Sequence, residues 1–187
     1  NDDGDISGYG ERWLWQMDDE LGDVRSALRW AEHTGDNNAL LRLAVAVGNY
    51  WIYRPYTLEE ISPLAAAIES AHGANARLQV VSRFFIGAHL GGAGDLNGAF
   101  AIAETALHVA KADGDVLLQG IAHFLAGGLW ELIGNCEQSA QSFRLAVEAL
   151  RPPPESLWFY GAMGELGDRL AACGDIDEAV AVLETAG

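Results

Sequence analysis

The chain has 187 residues, of which 27 are acidic and 11 basic, giving a formal net charge of −16. That surplus repels a phosphate backbone, so direct nucleic-acid binding by this segment is not expected. Half of the residues are apolar, enough for a sizeable core. No run approaches the ~20 apolar residues of a membrane helix, so no membrane partner is expected either.

In chain order, the acidic start Asn1-Asp2-Asp3-Gly4-Asp5 lacks the basic and apolar regions of a signal peptide. With no initiator Met, the chain reads as a segment of a longer protein. Breaks follow at Gly35-Asp36, Pro55-Tyr56, Gly73-Ala74-Asn75, Gly94-Asp95, Gly114-Asp115, Gly134-Asn135, Pro152-Pro153-Pro154 and Gly174-Asp175. Glycine closes one helix in the left-handed conformation, and the Asp or Asn after it caps the next. Thr57 and Glu60 fit a capping box. Between breaks, apolar residues recur at three and four, as in Leu40, Leu43, Ala44, Val47 and Trp51, or Phe100, Ala103, Leu107 and Ala110. The expected fold is all-α, with about nine or ten helices of roughly 15 to 19 residues. Residues 1–36 read as entry helices leading from an upstream domain. Residues 37–187 read as four helix pairs: 37–73, 75–113, 115–151 and 155–187.

The pairs share a register. Gly48, Gly87, Gly127 and Gly167 stand 39, 40 and 40 residues apart, and such a period marks stacked repeats. Three residues after each comes a large apolar side chain: Trp51, Leu90, Trp130 or Leu170. The second helices carry small residues at Ala99, Ser139 and Ala179, and again at Ala67, Ala106, Ala146 and Ala186. A glycine inside a helix costs about 0.5–1 kcal/mol relative to alanine. Its recurrence at one register points to close helix–helix approach, with stability drawn from stacked neighbours.

Little in the chain is equipped for catalysis. Lys111 is the only lysine and stands between alanines, so no Gly-Lys-Ser/Thr phosphate loop exists. His33, His72, His89, His108 and His123 have no metal-ligand spacing, although His89 and His123 sit where they could face one another across adjacent repeats. The acidic pairs Asp18-Asp19 and Glu59-Glu60 fit helix starts. No catalytic residue, metal ligand or cofactor site is expected in this segment. Cys136 and Cys173 each lie near a predicted turn, one repeat apart, and read as free thiols in a reducing cytoplasm.

The pattern Gly87-Leu90-Gly94-Asp95-Ala99-Ala106, repeated as Gly127-Trp130-Gly134-Asn135-Ser139-Phe143-Ala146 and Gly167-Leu170-Gly174-Asp175-Ala179-Ala186, is similar to the tetratricopeptide repeat (TPR). The resemblance covers roughly Asn37 to Gly187 and implies an antiparallel helix-pair solenoid wound as a right-handed superhelix. The first copy departs most, with Pro55 at the turn and Glu60 where a small residue is usual. The family's groove positions fall on Arg42, Val45, Asn49, Ile52 and Tyr53, then Val81, Phe84 and Ala88, then Ile121, Phe124, Gly128 and Glu131, and finally Asp168. Phe84 and Phe124 either line that groove as an apolar strip or belong to the core. With a single lysine the family's carboxylate clamp cannot be assembled, so an acidic C-terminal peptide is not an expected partner.

The N-terminal stretch Trp13-Leu14, Asp19-Glu20-Leu21 and Asp23-Val24-Arg25-Ser26-Ala27-Leu28-Arg29-Trp30-Ala31 resembles a junction in LuxR-type large ATP-binding regulators and related antibiotic-regulatory and cyclase-type proteins. Asp23 and Val24 replace the usual Asn and Leu. The resemblance implies a bacterial, cytoplasmic transcription regulator in which this segment is the non-catalytic sensing and docking array. ATP and DNA would then belong only to other domains of the parent. Expected partners are a protein, a peptide or a small-molecule effector, with self-association through an apolar C-terminal end. The alternative is a stand-alone adaptor or oligomerisation scaffold.

Overall fold

The computed structural model describes residues 6–53, 64–68, 75–151 and 157–186, and the regular structure among them is helical. The chain divides into two compact units, Asn1–His72 and Gly73–Gly187. The breaks at Pro55-Tyr56 and Pro152-Pro153-Pro154, the Thr57–Glu60 box and the Glu59-Glu60 pair lie outside the described residues, as do the side chains of Asn49, Trp51, Ile52, Tyr53 and Ala186.

In the first unit, α1 (Ile6–Thr34) is one helix of 29 residues. It is followed by α2 (Asn37–Tyr53) and a helical stretch at 64–68. Asp18 and Asp19 therefore stand in mid-helix, not at a helix start. The Gly22-Asp23 pair opens no turn because Leu21, Val24, Leu28 and Ala31 carry an apolar stripe straight through it, and the last two are buried. Asp18 instead accepts a 2.6 Å hydrogen bond from the hydroxyl of Tyr50 on α2. Between the helices Gly35 takes a φ of 69°, and the Asp36 carboxylate accepts from the Ala39 amide at 3.0 Å.

The second unit holds α3 (Ala76–Gly92), α4 (Leu96–Asp113), α5 (Val116–Leu132), α6 (Cys136–Leu150), α7 (Leu157–Cys173) and α8 (Ile176–Ala186). Each odd helix packs on the even helix after it, and α3 also packs on α5. Asn75, Asp95, Asp115 and Asn135 cap α3 to α6, each accepting from backbone amides of the first turn. Gly94, Gly114, Gly134 and Gly174 close helices at φ of 93°, 78°, 73° and 92°, a region that disfavours any side chain.

Glycine at the shared register is where neighbouring helices touch, within a pair at Gly127 and Gly167 and between pairs at Gly87. A Cβ on Gly127 would lie 2.7 Å from the ring of Phe143, which is fully buried on α6. The Ser139 hydroxyl donates to the Gly127 carbonyl at 2.9 Å and ties the same two helices. On Gly87 a Cβ would lie 2.8 Å from Leu125, and on Gly167 2.6 Å from Leu183. Ala99, Ala106, Ala146 and Ala179 are buried, as are Gly48 and Leu170. Trp130 leans on Phe100 with ring centroids 4.8 Å apart. Gly128, one residue on, meets nothing within 4 Å. Gly127→Ala should therefore lower stability by about 1–3 kcal/mol, because a well-packed ring must move. Gly128→Ala should be neutral or stabilising by up to about 1 kcal/mol. Thermal melts of the two variants check this, and equal losses would contradict the packing.

The cysteines correct the sequence expectation. Cys136 and Cys173 form a disulfide across a Cα–Cα distance of 6.0 Å, and no free cysteine remains. The turn after α5 and the turn after α7 lie on the same edge of the unit. The first residue of α6 and the last of α7 therefore meet, although 37 residues separate them. The case for a reducing compartment, which rested on free thiols, falls with this bond. Closing a loop of that length stabilises by about 3–4 kcal/mol in the chain-entropy treatment. Thiol titration of the unreduced chain should find none free, and reduction or Cys173→Ser should lower the melting temperature. An unchanged melt after reduction would show that the bond adds nothing.

Candidate functional site

Three first helices, α3, α5 and α7, supply one surface of the second unit. Counterparts recur along it at a step of 40, so each column shows how the surface changes from pair to pair.

One column is aromatic at its first two steps, and a tryptophan from outside the register joins it. Phe84 on α3 and Phe124 on α5 have ring centroids 5.4 Å apart, and Trp158 on α7 stands edge-on to Phe84 at 4.6 Å and to Phe124 at 6.1 Å. Behind them Phe84 meets Phe85 at 5.4 Å and Phe124 meets Phe143 at 5.6 Å. Phe85 and Phe143 are buried, whereas Phe84, Phe124 and Trp158 are half-buried. The two phenylalanines are thus neither wholly core nor free groove wall: one face anchors to the core and the other stays open. Gly161 makes room for them, since a Cβ there would stand 3.3 Å from the Phe124 ring. Sequence reasoning missed Trp158, which lies outside the family's groove register and just after the triple proline.

The next column is Ala88, Gly128 and Asp168; Ala88 and Gly128 are half-buried, and a Cβ on Gly128 meets nothing within 4 Å, as is also true of Gly164, which stands one step of 40 after Phe124. Val81 and Ile121, expected in the groove, are buried instead.

A third group is charged. Arg169 on α7 donates to Glu131 on α5 at 3.1 Å. Glu165 and Arg169 occupy the positions that Leu125 and Leu129 hold one pair earlier, where both leucines are buried. Burial raises the pKa of Glu165, the nearby Glu131 and Asp168 carboxylates raise it further, and Arg169 lowers it. Asp168 is exposed. On α3 burial lowers the pKa of His89 to about 4, and on α5 burial, with the Lys111 charge, lowers that of His123. Among the described residues, no group of three or more His, Cys, Asp or Glu is placed to hold a metal.

The first unit carries the remaining candidates. Arg42 is exposed and Val45 half-buried on α2, while the side chains of Asn49, Ile52 and Tyr53 lie outside the described residues. Of the expected groove residues the structure joins Phe84 to Phe124 and sets Glu131 and Asp168 near Glu165, and it adds Trp158 to the rings and Arg169 to the carboxylates. A repeat-to-repeat comparison of Leu125 with Glu165, and of Leu129 with Arg169, is the sequence signal that finds the last two.

No helix among the described residues is long and apolar enough to cross a membrane. No family model and no curated protein matches the chain. Among solved structures, the crystal structure of the apo form of RapI is similar with a TM-score of 0.67. The likeness covers 94% of this chain and 68% of that one at 14% sequence identity. At that identity it carries the fold: the chain is all-α and TPR-like.

Proposed function

We propose that this chain is a non-catalytic, TPR-like protein-binding module that reads a partner segment on the α3–α5–α7 surface and relays that state to attached domains. The observation that carries the reading is that the half-buried rings of Phe84, Phe124 and Trp158 share the α3–α5–α7 surface with the carboxylates of Glu131, Glu165 and Asp168, and that Gly128 and Gly164 on the same helices each have open space beside them. Apolar side chains can rest on Phe84, Phe124 and Trp158 without filling space the core needs. Burial does most to raise the Glu165 pKa, and a Lys or Arg beside it would relieve the added repulsion from Glu131 and Asp168. The ligand class is therefore a partner segment with apolar side chains and at least one cation.

The parent we propose is a multidomain transcription regulator. The junction-like sequence from Trp13 to Ala31 supports it, and that stretch now lies on the single helix α1. Partner binding would act by favouring one state of the array over another. Reading the coding sequence on both sides tests this: a phosphate-binding loop upstream and a helix-turn-helix at one end are expected. A gene that begins and ends with this segment would leave the stand-alone adaptor.

The surface itself is tested with a random peptide display library panned against the immobilised chain. Enriched peptides should combine apolar residues with Lys or Arg. Gly128→Leu with Gly164→Leu fills the open space beside both glycines, so the helical signal should stay while peptide binding falls at least about tenfold, or 1.4 kcal/mol. Equal enrichment by both chains would end this reading.

A further inference from the structure

The joint between α5 and α7 is built differently from the joint between α3 and α5. α3 packs directly on α5, whereas α7 makes no comparable approach to α5 and is held chiefly through α6 and α8. The repeat register shows what changed. Between α3 and α5, Leu129 seats over Gly91, where a Cβ would lie 2.7 Å from the leucine side chain. One step of 40 later the same two positions are Glu131 and Arg169, an ion pair at 3.1 Å with both side chains partly exposed. An ion pair open to solvent holds two helices far more weakly than a dry apolar contact.

A covalent tie stands at that same end. Cys136 opens α6 just past the α5–α6 turn, and Cys173 closes α7 one turn after Arg169. The Cys136 Sγ lies 3.5 Å from the Arg169 carbonyl oxygen, so the bond packs on the backbone that carries the guanidinium. One pair earlier the two positions are Leu96 and Ile133, which cannot be bonded. Cys173 is exposed, and Ile133 at the same register is 45% exposed with a whole pair stacked after it, so the register itself places this sulfur at the solvent edge. What the bond holds shut is under tension. Among the described residues the buried Arg169 Nε has no acceptor in reach, and Glu165 is crowded by Glu131 and Asp168.

We infer that the Cys136–Cys173 bond is a redox latch on this joint, holding the end of α7 that carries Glu165, Asp168 and Arg169 against the end of α5 that carries Glu131. A dithiol reductant opens it in two exchanges. The first thiolate attacks the exposed Cys173 sulfur, the S–S bond breaks, and Cys136 leaves as a thiolate that takes up the proton the first thiol gave up. The second thiol displaces Cys173 from the mixed disulfide and passes its proton to it, and the reductant ends as a disulfide. Only the ion pair then bridges the two ends, and the crowded carboxylates move apart. The latch itself does not depend on the proposed function; control of a partner through it rests on that reading.

Hydrogen exchange read by mass spectrometry tests it without any ligand, on the intact chain before and after dithiothreitol in the absence of denaturant. The bond should be reduced while the helical signal stays. Amides of the α5–α6 turn and the last two turns of α7 should then exchange at least about tenfold faster, with much smaller changes in α3 and α4. Loss of loop-closure entropy alone would instead speed the best-protected amides of the whole unit by one common factor. Cys136→Ser with Cys173→Ser should reproduce the reduced pattern, and reoxidation of the unaltered chain should restore the first one. Glu131→Gln should speed exchange at the end of α7 only in the reduced chain. The inference is overturned if dithiothreitol reduces the bond only once the chain unfolds, or if exchange changes uniformly or not at all. It is also overturned if Glu131→Gln acts alike in both redox states.

Discussion

The close approach of helices at the register glycine is the constraint on which the second unit depends. Phe143 can be wholly buried only because Gly127 presents no side chain to it. Once those two backbones are close, the Ser139 hydroxyl reaches the Gly127 carbonyl and fixes their rotation. Phe124 and Glu131 lie a turn before and a turn after Gly127 on the same side of α5, where Phe124 meets Phe143 and Trp158 and Glu131 meets Arg169. A helix-breaking residue thus does the opposite of breaking here. Its lost helix propensity is offset by a contact that alanine would prevent.

Much of this was legible in the chain because the signals are local. Left-handed glycines followed by Asp or Asn appear as φ above zero and side-chain caps at the expected turns. What escaped was set by neighbours in space. Asp18-Asp19 reads as a helix start, yet it lies inside α1, because the apolar stripe through Met17, Leu21, Val24 and Leu28 carries one helix past it. The disulfide escaped for a different reason. Its partners are 37 residues apart, and only the stacking of one turn beside the next brings them together.

The candidate surface was half legible, and its geometry shows why. Register positions gave Phe84, Phe124, Gly128 and Glu131, since a repeat projects equivalent residues the same way. Register could not tell that Phe84 and Phe124 would each keep one face on the core and one open, because that depends on Trp158 and Gly161 from the following pair. A repeat motif predicts direction; the depth of burial is decided by whichever side chain arrives from the neighbouring helix.

The departures from the repeat carry more information about function than the repeat does. Where α5 inserts Leu125 and Leu129 into a dry contact, α7 offers Glu165 and Arg169, and stability alone would not favour that exchange. Half-burying a carboxylate beside two others raises its pKa and leaves the surface best satisfied by a cation. A chain under pressure only to stack would have repeated the leucines. In the reading proposed above, this exchange acts on which partner the surface accepts, while the glycine contacts keep the scaffold that presents it.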